Sequence, residues 1–151
     1  MLGRMRKWAL VTVLAAVIGV MPSAALATPG SGVTGTILAK GTTDSGIKIK
    51  TKGRTDVIVR TITVEPGGST GWHYHQGKLI AVVQSGTLTR TMADCSVETS
   101  TAGQSFIEPD GADHIHIARN LGTVPVVLYV TYLLPEGAPL SVDAPDPGCG
   151  G

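Results

Sequence analysis

The sequence lacks the signatures of several large functional classes. It contains no Gly-rich dinucleotide-binding turn, no phosphate-binding P-loop and no defensible Ser-His-Asp arrangement. Aromatic residues make up only 4% of the 151 positions and charged residues only 15%. The charges form no basic patch, so nucleic acids and anionic membrane surfaces are poor partners.

After the first 27 residues there is also no long apolar stretch with the helical period of 3.6 residues. The chain is instead rich in Val, Ile and Thr and is interrupted by Gly and Pro, which indicates short strands joined by turns. The predicted strands are 33–39, 47–52, 57–64, 71–75, 79–84, 86–92, 97–100, 104–107, 114–118 and 124–133. Many short strands in one small domain predict an all-β sandwich or jelly-roll barrel.

The first 27 residues have the features of a cleaved signal peptide. Three basic residues precede an apolar run from Trp8 to Val20, and Ala25-Leu26-Ala27 provides a cleavage pattern. A retained membrane anchor is the alternative, but the run is shorter than the roughly 20 residues of a spanning helix. We predict a secreted or extracytoplasmic protein without stable membrane insertion after cleavage. Cleavage removes three of the 12 basic residues and none of the 11 acidic ones, which leaves a mildly acidic chain.

This pattern divides the chain into four parts. Residues 1–27 are the signal peptide, 28–45 an N-terminal segment with the first strand, 46–134 the barrel, and 135–151 a Pro/Gly-rich tail. The tail is expected to be irregular because its four prolines interrupt any further sheet.

Both cysteines, Cys95 and Cys149, lie in the part that would be exported. In an oxidising compartment two lone cysteines most simply pair with each other. The alternative is a metal-binding thiol pair, but neither cysteine is at ligand spacing from a histidine. We predict a Cys95–Cys149 disulfide that ties the tail to the body of the domain.

All four histidines occur in two His-X-His pairs, His73/His75 and His114/His116. On a strand, side chains two residues apart point to the same face, so each pair offers two imidazoles side by side. Imidazole is a common ligand of Zn, Cu, Fe and Ni. The alternative is a set of histidines stacked and hydrogen-bonded in a β core. Because the two pairs include every histidine of the chain, we predict a metal site.

The residues around these pairs resemble the two conserved motifs of the cupin superfamily. The matching positions are Gly67, His73, His75 and Gly86 for the first motif, and Gly103, Pro109, Gly111, His116 and Asn120 for the second. The resemblance spans residues 67–120 and implies a small single-domain cupin, with a jelly-roll β-barrel and a metal held by histidines. Cupins commonly pair, so the resemblance also implies a homodimer.

Two departures from the motifs affect the expected ligands. The glutamate of the first motif would fall at Leu79, or at Ile80 with the longer spacing, and neither side chain can bind a metal. The second motif is two residues too long. Counting forward from Gly111 therefore selects His114, whereas counting back from Asn120 selects His116. We predict His73, His75 and His116 as ligands and keep His114 as the alternative or as a fourth ligand.

A neutral three- or four-His set shifts the preference toward Zn²⁺, Cu²⁺ or Ni²⁺ and away from Mn²⁺ or Fe²⁺, and all five metals stay open. Glu108, just before Pro109, could support the second pair, but we expect it at a solvated strand end. The sequence thus predicts an exported cupin-domain protein that binds a divalent metal and a small molecule. A metal-dependent oxygenase or isomerase acting on a small phenolic or polar substrate is the alternative.

Overall fold

The computed structural model describes residues 31–149, so the predicted signal peptide lies outside the described residues. Within this range there are nine β-strands and no α-helix. The strands are β1 (Thr55–Val64), β2 (His73–Tyr74), β3 (Lys78–Ser85), β4 (Thr87–Met92), β5 (Val97–Thr101), β6 (Ser105–Glu108), β7 (His116–Arg119), β8 (Val126–Pro135) and β9 (Val142–Asp143). Consequently, no helix between residues 31 and 149 could cross a membrane.

The strands form two antiparallel sheets, a four-stranded one in the order β1-β8-β3-β6 and a five-stranded one in the order β5-β4-β7-β2-β9. In the four-stranded sheet, β1 and β8 pair over ten residues, from Thr55↔Pro135 to Val64↔Val126. Side chains of β8 alternate between buried and half-buried positions, as a strand with one face on the core requires. The buried apolar residues of both sheets pack into one cluster, so the sheets share a core.

The five-stranded sheet has shorter ladders that polar side chains extend. β2 pairs with β7 through His73↔His116 alone. Next to this pair, the main-chain N–H of Thr70 donates to Ala118 O at 3.0 Å, and the Thr70 hydroxyl accepts from Ala118 N at 2.9 Å. A threonine side chain and an irregular segment therefore continue the pairing that β2 is too short to provide.

Asn120, at the end of β7, is buried and joins three segments. Its Nδ2 donates to Val64 O and to Val124 O, both at 2.8 Å, and its Oδ1 accepts from Gly122 N at 2.9 Å. Its main-chain oxygen accepts from Gly67 N at 3.0 Å. This asparagine of the second motif therefore holds the end of β1 against the connection between β7 and β8.

Gly86, in the turn between β3 and β4, has a φ of +77°, and a Cβ built on it would lie 2.7 Å from the main-chain oxygen of Pro125. Both the backbone conformation and the close approach require glycine at this motif position. The predicted disulfide is also confirmed. Cys95 and Cys149 are bonded, with their Cα atoms 5.2 Å apart, and the bond ties the segment after β9 to the turn between β4 and β5.

The predicted strands from 57–64 to 124–133 correspond to β1 through β8, with small shifts at their ends. The strands predicted at 33–39 and 47–52 are wrong, including the one expected in the N-terminal segment. Their alternation has no face to cover, since Val33 and Ile37 are 85% and 80% exposed. An isolated bridge between Thr42 and Gln104 is the β-pairing that residues 31–54 make.

The tail is more ordered than expected. β8 continues to Pro135, and β9 pairs with β2 through His73↔Asp143 and Tyr74↔Val142. The expectation that prolines prevent further sheet is therefore wrong. Val142 and Asp143 lie between prolines rather than at one, so their main-chain groups remain free to join the ladder.

Candidate metal centre

Three histidines from adjacent strands converge inside the protein. His73 lies on β2 opposite His116 on β7, and His75 follows two residues after His73, so the pleat of an extended chain turns it to the same side. One ring nitrogen of each lies within 4.8 Å of the others. All three residues are buried, with at most 8% of their surface exposed. The three histidines therefore form a group that could hold a metal ion.

Each of these imidazoles is oriented by a hydrogen bond from Nδ1 to a main-chain carbonyl. His73 donates to Gly71 O at 2.9 Å, His116 to His114 O at 2.9 Å, and His75 to Leu140 O at 2.7 Å. Because a carbonyl oxygen can only accept, Nδ1 carries the proton in each ring and Nε2 keeps its lone pair when the ring is neutral. This is the tautomer that metal-bound histidines adopt.

The structure does not bring His114 into this group. Its side chain is 46% exposed, and its Nε2 lies 3.7 Å from Asp113 Oδ2. The same-face argument fails because residues 112–113 form a turn and β7 begins only at His116. His114 contributes its main-chain carbonyl, which orients the ring of His116, while its own ring points elsewhere.

Glu108 lies at the histidine group with little of its side chain exposed, so the expected solvated strand end is wrong. Its side chain is 12% exposed, with Oε2 at 3.2 Å from His75 Nε2 and Oε1 at 3.4 Å from His116 Nε2. A signal for this position was present in the sequence. Phe106 reads as a core residue, and Glu108 follows it by two residues on the same strand, which places both side chains on one face.

The charges of the group depend on each other. Burial raises the pKa of Glu108, but the adjacent imidazoles of His116 and His75 outweigh burial and hold that pKa well below its ordinary value. Burial lowers the pKa of His116, but the Glu108 carboxylate outweighs this and raises the pKa above 6.5. For His73, burial dominates, and the pKa falls below 6.5. The site therefore contains an anionic carboxylate beside a neutral His73 at neutral pH.

The residues fit a divalent transition metal. Nε2 of His75 and Nε2 of His116 are buried and have no hydrogen-bond partner of acceptable geometry, although a carboxylate oxygen lies close to each. An imidazole lone pair facing a carboxylate away from water is repulsive unless a proton or a metal cation lies between them, and the contact geometry at neither Nε2 is that of a hydrogen bond. Two ligands of a tetrahedral ion, each at about 2.0–2.1 Å, are roughly 3.3 Å apart. The 3.2 and 3.4 Å separations match that spacing.

A cavity of about 240 Å³ adjoins the group. Its polar lining includes His73, His75 and Glu108, together with Arg60 and Tyr132, and the rest is mostly aliphatic. Pockets for drug-sized ligands measure about 300–1,000 Å³. The volume therefore suits a small molecule. Arg60 provides a positive charge in the lining of the cavity.

Residues 60–132 match the cupin domain family. The lyase DddQ from Ruegeria pomeroyi DSS-3, which acts on DMSP, superposes over 61% of this chain with a TM-score of 0.52 and 17% identity, and this chain covers 45% of the lyase. The polyketide cyclase RemF from Streptomyces resistomycificus superposes over 60% with a TM-score of 0.50 and 20% identity, and 64% of it is covered.

An uncharacterized conserved protein with a double-stranded β-helix domain from Klebsiella pneumoniae is 26% identical over 59% of this chain and 70% of its own, with a TM-score of 0.49. A search of the curated proteins finds no significant match. The likeness to the lyase and the cyclase concerns the fold and not their activities. The match to the cupin domain family over residues 60–132 agrees with the two antiparallel sheets of the structure.

Proposed function

We propose that this chain is an exported cupin-domain protein that binds a divalent transition metal through His73, His75 and His116 and a small molecule in the adjoining cavity. One observation carries the proposal: three buried imidazoles converge with every Nδ1 already donating to a carbonyl. Histidines stacked in a core without metal would satisfy their remaining nitrogens with hydrogen bonds. Nε2 of His75 and Nε2 of His116 have none.

The residues around the cavity select its ligand. A bound metal supplies a Lewis-acidic centre that a small molecule can coordinate. Arg60 lines the cavity and attracts an anionic group, while aliphatic residues such as Leu128 and Val130 exclude water. The volume of about 240 Å³ limits the ligand to a molecule smaller than a typical drug. A small anion, such as a short carboxylate, satisfies these conditions.

Export is supported by two features of the chain. The leader at 1–27 has the order of a basic region, an apolar run and a cleavage pattern. The Cys95–Cys149 disulfide is compatible with an oxidising compartment. We therefore place the metal-binding domain outside the cytoplasm.

A metal-dependent oxygenase or isomerase is the second candidate, and Tyr132 is the observation that favours it. Its phenol lines the cavity, and its ring centroid is 5.9 Å from that of His75. Burial raises the pKa of Tyr132 above 10, so the phenol stays protonated and can donate a hydrogen bond to a bound substrate. Oxygen uptake or product formation with small phenols and carboxylates would favour the enzyme, whereas saturable binding without turnover supports the binding protein.

The metal site is tested by elemental analysis of the tag-free protein purified without chelators. We expect about one transition-metal ion per chain in the wild type and its loss in His116→Ala. His114→Ala is the matched control, since this histidine belongs to the same His-X-His pair but lies outside the group. Equal metal content in wild type and His116→Ala, or its loss in His114→Ala, would contradict the proposed site.

A further inference from the structure

We infer that the Glu108 carboxylate is a fourth metal ligand, supplied by the four-stranded sheet to His73 and His116 of the five-stranded sheet and to His75 directly after β2. The inference rests on the metal binding proposed above and makes it more specific. A neutral three-His set becomes a set of three imidazoles and one carboxylate. Glu108 thereby sets which metals the protein prefers.

The contacts of the carboxylate carry this inference. One oxygen lies 3.2 Å from Nε2 of His75, and the other oxygen lies 3.4 Å from Nε2 of His116. These are the sides of the rings that hold the lone pairs, because both Nδ1 atoms donate to main-chain carbonyls. A carboxylate and two nitrogen lone pairs are all donors of electron density, so a cation shared among them is what makes this arrangement favourable.

Two other partners for Glu108 fit the contacts less well. Protonated imidazoles would point an N–H from Nε2 at the carboxylate, but neither Nε2 makes a hydrogen bond of acceptable geometry. Arg90 is buried nearby and attracts the carboxylate. Its guanidinium makes its polar contact elsewhere, since Nη2 contacts Glu98 at 2.7 Å, Cζ lies 3.6 Å from the centroid of the Phe106 ring, and the buried Nε has no hydrogen-bond partner.

The register of the four-stranded sheet explains how this carboxylate reaches the site. Glu108 on β6 is the direct cross-strand partner of Leu79 on β3, and both side chains line the cavity beside the histidines. Directly opposite residues of an antiparallel pair have their Cβ atoms about 4.5–5.5 Å apart. A carboxylate at 108 can therefore enter the same space as a side chain at 79, from the neighbouring strand.

A carboxylate changes the expected metal preference. Imidazole suits Zn²⁺, Cu²⁺ and Ni²⁺, whereas carboxylate oxygen suits Mn²⁺. The anionic ligand also cancels part of the +2 charge of the ion in a buried site. With Glu108 in the set, we expect Mn²⁺ to be retained better than the three-His set predicts from the sequence alone.

Competition titrations of the purified full chain with Mn²⁺ and Zn²⁺ against a chromophoric chelator test the inference. Loss of a partner that only orients a ligand costs about 10–100-fold in metal affinity, so we expect Glu108→Gln to weaken Mn²⁺ by at least about 100-fold. Zn²⁺ should weaken by about tenfold, since the imidazoles suit it. Glu98→Gln is the matched control. It removes the other carboxylate next to Arg90, and we expect both affinities to be unchanged.

Infrared difference spectra of the wild type, with and without Mn²⁺, provide a readout that does not depend on the folding of a variant. Binding of a metal to a carboxylate shifts its symmetric and antisymmetric stretching bands, and we expect this shift in wild type and in Glu98→Gln. Retained Mn²⁺ affinity in folded Glu108→Gln, or metal binding by wild type without the shift, would overturn the inference while leaving the three-His site intact. A wild type that binds neither metal would overturn the proposed function itself.

Discussion

The two sheets differ in how their strands are held and in what they carry. The four-stranded sheet has long ladders, ten residue pairs between β1 and β8, and supplies most of the apolar core. The five-stranded sheet contains two-residue strands, is extended by Thr70, and carries His73 and His116 of the candidate metal group, with His75 directly after β2. Apolar alternation is enough to build the first sheet, whereas the second depends on specific hydrogen bonds.

The position of Glu108 connects the two sheets at the site. This carboxylate lies beside the three histidines but belongs to β6 of the four-stranded sheet. The apolar sheet therefore provides more than support, because its register decides where this carboxylate lies. We expect stability to depend mainly on the first sheet and the proposed metal binding mainly on the second.

The largest expected effect is from Leu134→Ala in the four-stranded sheet. Leu134 is fully buried in the core, and Leu→Ala at such sites costs about 2–5 kcal/mol. Because Leu134 does not line the cavity at the histidines, the folded variant should retain its metal affinity. Urea unfolding followed by metal titration checks both, with His116→Ala as the converse case. A folded Leu134→Ala chain that has lost its metal would break the comparison.

A somewhat smaller effect is expected when Cys95 and Cys149 are both replaced by serine. The disulfide closes a loop over a sequence separation of 54, so its loss lowers the free energy of unfolding by about 2–4 kcal/mol. The tail also supplies the carbonyl that orients His75, and metal affinity should fall by up to about tenfold. Reduced wild type should behave like the double variant, and unchanged affinity in both would show that the tail holds its place without the bond.

The smallest of the three effects is expected from Asn120→Ala at the end of β7. The substitution leaves Val64 O, Val124 O and Gly122 N without their present partner. A buried group left without a hydrogen bond costs about 1–3 kcal/mol. Thermal unfolding of the metal-free chain measures this loss. A destabilisation equal to that of Leu134→Ala would mean that the hydrogen bonds of Asn120 contribute as much to stability as a buried leucine of the four-stranded sheet.

The sequence predicted the regular parts of the fold because their side chains alternate. β8 and β3 have the period of two residues that a half-buried strand requires, bounded by turn residues such as Gly86. The same rule failed at 33–39, where apolar residues alternate without a sheet to cover. A pattern in one segment cannot report whether a partner strand lies beside it.

The histidine group was predictable in part for a similar reason. His73 and His75 share a face of one extended segment, but the argument transferred wrongly to His114, which lies next to a turn. Glu108 was missed as a site residue because its neighbours His75 and His116 come from other strands, 33 and 8 positions away in the chain. Cross-strand register, which no local pattern encodes, brings these residues together.

The three imidazoles also differ in how far along the sequence their main-chain hydrogen-bond partners lie. His73 and His116 each find a carbonyl two residues away, whereas the carbonyl for His75 is 65 residues further along the chain. The contacts of His73 and His116 are local, so each can form together with its own strand. The hydrogen bond of His75 can form only when the segment around Leu140 lies beside β2. The ring of His75 therefore takes its final orientation only after the tail is in place.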